Sequence, residues 1–514
     1  MFISVGADRP IYRQICDAIR DRIVSGELPP GARLPSTRSL ASELGVSRRT
    51  VLVAYEQLLA EGYVTGRVGS GTRVVPGLAH CHDRSNPGGS PRSTRGAPRL
   101  AAFGRRLVRF VPPSRWTLPG AALPYDFRHP LPAVDDLPWV QWRRLTTGCL
   151  RETSTGLLGY GPPEGYAPLR AAIARYLYRA RGVACDPAYV IIVGGSQQAL
   201  DLTGRVLVDP DDPIVIEEPQ YPGAREVFAA AGARLVPVDV DQHGLDPAQL
   251  DAQAPGARLA YVTPSHQFPT GAVLPLERRL ALLDWAQRTD AWVVEDDYDS
   301  EYRFAGHPIA AIKSLDRAER VIYVGTFSKL LFPALRLGYL VVPPSLAPAF
   351  AGAKFLADRH APTLEQMILA RFIDNGHFDR LLRTLRRRVA ARHAAMLAAL
   401  DKYLGERATV SGTSAGLHVL VWLRDVSAER LPSLLKRAAV AGVGAYPSTA
   451  YYVAPPPRGG LVMAYASMTA EDIRAGIRRL AECLPRGSAL PGILDLDRGK
   501  RVARRAPPPV RVTR

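Results

Sequence analysis

Lys329 stands in the stretch VIYVGTFSKLLFPALRLGYL, residues 321–340, as one lysine among apolar neighbours, with Arg336 seven positions on. A lysine ammonium is seldom buried without a partner or a task. Other reactive types recur just after short β-branched runs. GGSQQAL (194–200) follows YVIIV and opens a helix, so free backbone amides and the Ser196 hydroxyl offer a place for a phosphate. EEPQYPG (217–223) sets Tyr221 on a loop, available to stack on a flat ring, and TPSHQFPTG (263–271) supplies His266 and Gln267. VVEDDYDSEYR (293–303) ends a run in consecutive acids, and GTFSK follows the next one. Each signal alone is weak: Gly-Gly-Ser opens many ordinary helices, and a snorkelling lysine beside a buried ion pair is the plain alternative.

The elements that must hold these residues alternate. YVIIVGG, DPIVIEE, ARLAYVTP, AWVVEDD and RVIYVG read as strands between longer helical stretches such as YAPLRAAIARYLYRARG and LERRLALLDWAQRTD. That order predicts an α/β fold with a mostly parallel sheet and helices on both faces. Such folds bind ligands at the carboxyl ends of their strands, where all of the loops above lie. A phosphate nest, a stacking aromatic, a buried carboxylate, a tyrosine and a lysine together match the needs of pyridoxal 5′-phosphate, with its phosphate, flat ring, protonated ring nitrogen, phenolic oxygen and aldehyde.

Bulk properties set the frame. At 514 residues the chain exceeds a usual single core, so two or more domains are expected. With 47% hydrophobic and 22% charged residues it reads as globular. No run reaches about 18 apolar residues and no signal-peptide core forms near the N-terminus, which excludes a membrane protein and points to the cytoplasm. Cys16, Cys81, Cys149, Cys185 and Cys483 are scattered and include no C-x-x-C pair, so neither disulfides nor a metal site is expected. The formal charge of +18 is uneven: residues 1–77 carry ten basic against seven acidic groups, 78–122 eight against one, and 486–514 eight against two, leaving the long middle close to neutral. The basic flanks suit a polyanion, although such segments are often no more than solvated arms. Residues 78–122, rich in Pro, Gly, Ser and Arg, read as a mobile linker, and 486–514 as a basic disordered tail.

Residues 1–77 hold a third pattern. Ile11, Ile15, Ile19 and Ile23 recur every four positions before Gly26, and two further helices follow, capped by Ser36 and Ser47 around a turn at Gly45. The second is expected to pack through Val51, Tyr55, Leu58 and Leu59, bringing Arg48, Arg49 and Thr50 to its exposed start. YVTGRVGSGTRVV then reads as two strands around a glycine-rich tip. GELPPGARLPSTRSLASELGVSRRTVLVAYEQLLAEGYV resembles the winged helix-turn-helix of GntR-type transcriptional regulators. The resemblance implies operator DNA contacts by Arg38, Ser47, Arg48, Arg49, Thr50 and the wing around Gly69.

The large domain, 123–485, with TPSHQFPTG, EDDYDSEYR and TFSKLLFPALRLGY, resembles a fold type I aminotransferase with a smaller C-terminal subdomain, and the whole chain resembles the MocR-type subgroup of GntR regulators. By that resemblance Lys329 condenses with the cofactor aldehyde, Asp296 pairs with the ring nitrogen, Tyr298 bonds the ring oxygen and Tyr221 lies on or beside the ring. Ser196, Gln197, Thr326, Ser328 and Arg336 would hold the phosphate, His266 would lie near the ring, and Tyr160, in GLLGYGPPEGY, would reach the phosphate site of the second subunit of a homodimer. One departure stands out: where the family places an arginine to clamp a substrate carboxylate, GGLVMAYASM has Val462, with Arg458 on the preceding loop.

Two functions are consistent with this pattern. One is a regulator that senses pyridoxal phosphate, or a small amine bound to it, for control of vitamin B6 synthesis or amine metabolism. The other is a working aminotransferase with an accessory DNA-binding domain. The lost arginine favours the first, because an amino acid would lack its orienting charge pair.

Overall fold

In a computed structural model, the described residues are 9–67, 71–76, 99–108, 110, 123–128, 132, 134–152, 154–304 and 309–485. They form two compact units that divide near residue 99. Gly69, Cys81, most of 78–122 and the tail 486–514 lie outside the described residues.

The small unit is three helices and a hairpin: α1 (Ile11–Val24), α2 (Thr37–Leu44), α3 (Arg48–Ala60), β1 (Val64–Arg67) and β2 (Gly71–Val74). Ile15, Ile19 and Ile23 enter its core, whereas Ile11 stays 40% exposed at the helix start. On α3 the buried stripe is Val51, Ala54, Tyr55 and Leu58. Leu59, expected inside, is 51% exposed: it falls one position past an i, i+3, i+4, i+7 face, and Ala54 fills the contact instead.

Within the segment read as linker, Ala102–Leu107 is a short helix, α4. Arg106 fixes it by donating to the carbonyls of Ala230 at 2.7 Å and Ala231 at 3.1 Å, the orphan acceptors at the end of helix Pro222–Ala231.

The large unit is built on one eight-stranded sheet. Its strands in chain order are β3 (Val190–Val193), β4 (Pro213–Glu218), β5 (Arg234–Asp241), β6 (Gly244–Leu245), β7 (Leu259–Val262), β8 (Trp292–Asp297), β9 (Val321–Thr326) and β10 (Gly338–Val341). Their spatial order is β3-β10-β9-β8-β7-β4-β5-β6. The run β9-β8-β7-β4-β5 is parallel, while β10 is antiparallel to both of its neighbours and β6 antiparallel to β5. Most of these strands are buried throughout, as a sheet covered on both faces requires. Among the covering helices are α5 (Ala167–Arg181), α6 (Ser196–Leu207), α7 (Pro222–Ala231), α8 (Leu276–Arg288) and the long α9 (His377–Leu404). A second, antiparallel sheet follows, of β11 (Ala408–Ser411), β12 (His418–Ser427), β13 (Tyr446–Pro447) and β14 (Arg458–Ala464), in the order β11-β12-β14-β13. Among the described residues no helix is long and apolar enough to cross a membrane.

Candidate cofactor and nucleic-acid sites

Consecutive residues of a strand face opposite sides, and the acids that end β8 divide accordingly. Asp297 turns to a buried ion pair with Arg181 Nε at 2.7 Å and also accepts from the Tyr323 hydroxyl. Asp296 accepts from the Tyr261 hydroxyl at 2.8 Å through Oδ2, while its Oδ1 is buried with no hydrogen-bond partner. Burial pushes the Asp296 carboxyl up to about 7, against the Tyr261 hydrogen bond, which favours the charged form.

Lys329 follows β9 in a turn held by Ser328 N–H donating to Thr326 Oγ1 at 3.2 Å and by Tyr302 donating its hydroxyl to the Lys329 carbonyl at 2.9 Å. Desolvation lowers its ammonium to about 8, opposed by the charges of Asp299 and Asp296. A lysine this far down is within reach of its neutral, nucleophilic form near physiological pH.

Around this pair lies a polar and aromatic shell. His266 Nδ1 is 2.9 Å from the Tyr298 hydroxyl and 3.1 Å from Asp299 Oδ2, and Tyr298 also donates to the His266 carbonyl at 3.0 Å. Burial holds the Tyr298 phenol well above its usual range, so it stays protonated. Tyr221 packs edge-on to Phe268, ring centroids 6.1 Å apart, with its hydroxyl 3.4 Å from Gln197 Oε1. Gln267, a polar candidate in sequence, is absorbed in its own loop: its amide donates to Pro219 O at 2.8 Å and Glu217 Oε2 at 3.2 Å, and its oxygen accepts from Thr270.

The opposite end of the shell is a backbone cradle. Gly195, with φ 101°, precedes α6, and Ser196 is the first residue of that helix. Arg336 adopts the left-handed φ of 51°, which turns its guanidinium back so that Nη2 donates to the Gly194 carbonyl. A Cβ at Gly195 would lie 3.3 Å from Arg336 Nη2, and one at Gly338 would lie 2.9 Å from Gly325 O, so glycine at both positions keeps the cradle open. Thr326 is buried and Ser328 half-buried beside it in the chain. Tyr160 stands apart from this group, 88% exposed, with Arg359 over its ring at 5.8 Å.

Several members of this constellation escaped the sequence reading. Tyr261, Asp299, Phe268 and His418 pack into it; Asp299 and Phe268 lie within VVEDDYDSEYR and TPSHQFPTG without being singled out there, and His418 lies in none of the quoted stretches. Tyr261 sits opposite Val294, so Asp296, two residues beyond Val294, shares its face. His266, Asp299 and His418 bring one ligand-type atom each within 4.8 Å of one another, a grouping not anticipated where no metal centre was expected. Val462 is buried in β14 opposite Leu420 and Tyr446. Arg458, expected on the preceding loop, is instead the first residue of β14, paired with Ser427, and is committed elsewhere, its guanidinium 5.6 Å over the Trp422 ring and Nη2 donating to Thr409 Oγ1 at 3.0 Å.

In the small unit, Ser36 and Ser47 cap their helices, accepting from Ser39 N–H and Thr50 N–H at 3.1 Å each, and Gly45 makes the turn at φ 65°. Ser47 and Thr50 also bond to each other at 2.7 Å, so both hydroxyls serve the cap. Arg38, Arg48 and Arg49 are exposed at the starts of the two helices. Arg33 and Arg73, not singled out in sequence, bridge strand-like below the wing, with Arg73 Nη1 donating to Gly31 O at 3.0 Å.

The family model for bacterial regulatory proteins of the gntR family matches residues 11–74, and that for aminotransferase class I and II matches 140–480. The probable rhizopine catabolism regulatory protein MocR of Rhizobium meliloti is 40% identical over 474 residues, covering 92% of this chain and 94% of the relative. This chain belongs to the MocR-type group of GntR-family transcriptional regulators. The pyridoxine biosynthesis transcriptional regulator PdxR of Corynebacterium glutamicum is 33% identical, over 73% of this chain and 76% of that protein. Among solved structures, LysN, an α-aminoadipate aminotransferase of Thermus thermophilus complexed with N-(5′-phosphopyridoxyl)-L-leucine, is 34% identical with a TM-score of 0.67, covering 74% of this chain and 97% of LysN. As a MocR-type regulator the chain joins a DNA-binding helix-turn-helix to an aminotransferase-like domain of fold type I.

Proposed function

We propose that this regulator holds pyridoxal 5′-phosphate at Lys329 and reads the cofactor itself, or a small amine joined to it, rather than turning over amino acids. The observation that carries the reading is the pairing of a depressed Lys329 ammonium with a buried Asp296 whose Oδ1 has no partner. The residues fit the cofactor. Asp296 Oδ1 suits a ring N–H, the Tyr298 hydroxyl suits the ring oxygen, and Tyr221 flanks the ring. Ser196, Gln197, Thr326, Ser328 and Arg336 would hold the phosphate beside Gly194 and Gly195, and His266 orients Tyr298. When bound, the cofactor supplies an aldehyde for the Lys329 amine and an electron-withdrawing ring.

Val462 argues against efficient transamination. A buried valine cannot orient a carboxylate, and Arg458 is engaged with Trp422 and Thr409. Residues 1–77 would form the DNA-binding domain, 78–122 the linker, 123–485 the aminotransferase-like domain and 486–514 the tail. Tyr160, almost fully exposed, suits a role at the phosphate site of a second subunit in a homodimer, whose two winged helices would read two half-sites of operator DNA. Arg38, Arg48 and Arg49 would make the principal base and phosphate contacts, Gly69 the minor-groove approach, with Ser47 and Thr50 fixing the helix start.

The test is a comparison of operator footprints with and without pyridoxal phosphate, in wild type and Lys329→Ala. A ligand changes transcription only by favouring one arrangement over another. We expect the footprint to change with cofactor in wild type alone; superimposable footprints in all four conditions would remove the sensing role.

A further inference from the structure

A cavity of about 180 Å³ opens among Tyr176, Arg181, Ser300, Glu301, Arg303 and Arg386, between α5, the loop that follows β8, and α9. None of these residues belongs to the Lys329 shell. The cavity is too small for a drug-sized ligand but has room for a molecule of a few heavy atoms.

Its walls are unevenly satisfied. Arg181 is fully engaged: Nε pairs with Asp297, Nη2 donates to Ser265 Oγ at 2.7 Å, and Nη1 donates to the Ile309 carbonyl. Glu301 accepts from the Tyr176 hydroxyl at 2.6 Å, and its own carbonyl accepts from Arg386 Nε at 2.7 Å. Arg303 differs. Its Nε and Nη1, together with Ser300 Oγ, are buried with no hydrogen-bond partner. Burying guanidinium N–H groups without a protein partner is costly, and a hydroxyl beside them adds another donor. With Arg181 neutralised by Asp297, Arg303 and Arg386 face the single carboxyl of Glu301, so the lining is cationic on balance.

We propose that this cavity is a second ligand site, which takes a small oxyanion, carboxylate or phosphate, on Arg303 and Ser300. A guanidinium presents a planar fork of donors that matches two oxygens of such an anion. The position bears on regulation. Tyr302, between the two lining residues Glu301 and Arg303, is the residue whose hydroxyl holds the Lys329 carbonyl. Tyr298 and Asp299 lie on the same loop, a few residues upstream, and Asp296 lies near the end of β8, which leads into it. Filling the cavity would therefore brace the segment that carries the cofactor-facing groups.

The test is thermal unfolding of the full-length chain in sodium phosphate, sulfate or succinate against sodium chloride at matched ionic strength. It is run in an Arg336→Gln background, so that the glycine cradle near Lys329 does not contribute an anion site. We expect a midpoint rise of about 2 °C or more over chloride at saturating anion, and its loss on adding Arg303→Gln. Should that variant fail to fold, Ser300→Ala takes its place, with the rise reduced. Succinate acting at lower concentration than phosphate would assign a carboxylate, and the reverse order a phosphate. No rise over chloride, or a rise that the deciding variant keeps, overturns the proposal. Because the readout does not involve Lys329, the site stands or falls separately from the cofactor reading.

Discussion

Tyr261 donates its hydroxyl to Asp296 Oδ2 at 2.8 Å across two adjacent parallel strands, and so directs one carboxylate oxygen inward to the strand while the other stays without a protein partner. That division leaves Oδ1 as the atom that would meet the ring N–H of the proposed cofactor. Replacing Asp296 by Asn removes the charge but keeps the shape. The lost charge-assisted hydrogen bond corresponds to about 1.5–3 kcal/mol, or roughly ten- to hundredfold in affinity. We expect Asp296→Asn to weaken pyridoxal phosphate binding by that factor in an absorbance titration, with operator binding by the cofactor-free protein unchanged. Equal affinity of variant and wild type would detach Asp296 from the ring.

Lys329 carries a pH dependence whose sign is fixed by its environment. Burial brings the folded-state value from the usual 10.5 to about 8, with Asp299 and Asp296 opposing the shift. Between these two values the unfolded chain binds the proton that the folded chain has released, so the contribution to stability rises with pH across that window and is fully unfavourable below about 8. The reactive species is the neutral amine, about one-tenth of the population at pH 7 and half near pH 8. Pyridoxal phosphate uptake, followed as growth of its lysine-dependent absorbance, should therefore accelerate roughly tenfold per unit below pH 8 and level off above it. A flat rate across this range would show that the amine is already neutral, or that another step limits uptake.

Much of this arrangement could be read in the chain itself, because local signals and global fold agree there. The five β-branched runs are strands, each followed by the loop that carries a candidate residue, and Ser36, Gly45 and Ser47 mark the helix-turn-helix by their own backbone chemistry. What escaped was set by register and distance. Tyr261 reads as one more apolar residue of β7 until its pairing with Val294 is known, and His418 arrives from a different sheet. Leu59 was misplaced because a one-residue error in helical phase moves a side chain off the buried stripe. The helix Ala102–Leu107 was invisible because it depends on a distant acceptor, the carbonyl end of α7, rather than on its own periodicity.

Arg48 stands exposed at the first turn of α3, its Nε 3.4 Å from Thr37 Oγ1 on α2. If it reads a base edge, Arg48→Ala should cost about 1–3 kcal/mol on the operator and relax preference at one position. Random DNA should be affected far less, and the thermal midpoint of the small unit little. Weakening of equal size on both DNAs, with a shallower salt dependence, would make Arg48 a phosphate contact instead.

Ser47→Ala tests the same surface from the inside. Its hydroxyl accepts from Thr50 N–H and bonds Thr50 Oγ1, so the variant loses an N-cap, about 1 kcal/mol of stability. Operator affinity should fall with helix stability and recover with Ser47→Thr, which restores the cap without adding a charge near DNA. Full rescue of stability without rescue of binding would separate the capping role from the contact role and place the Ser47 hydroxyl on the DNA.

Val462 offers the sharpest test of the proposal that this domain reads its ligand rather than transaminating amino acids. The side chain is 3% exposed between Leu420 and Tyr446, and an arginine there must bury a guanidinium unless a carboxylate meets it. Without such a partner Val462→Arg should lose about 3 kcal/mol or more of stability, the usual penalty for an uncompensated buried charge. If the position opens on the cofactor shell, an amino acid supplied with pyridoxal phosphate should restore part of that loss, and a primary amine without a carboxylate should not. Single-turnover conversion of the cofactor by the amino acid would then appear in the variant and be weak or absent in wild type. A variant destabilised equally with and without amino acid would instead put residue 462 in the sheet core, and the carboxylate clamp of this chain would have to be sought elsewhere.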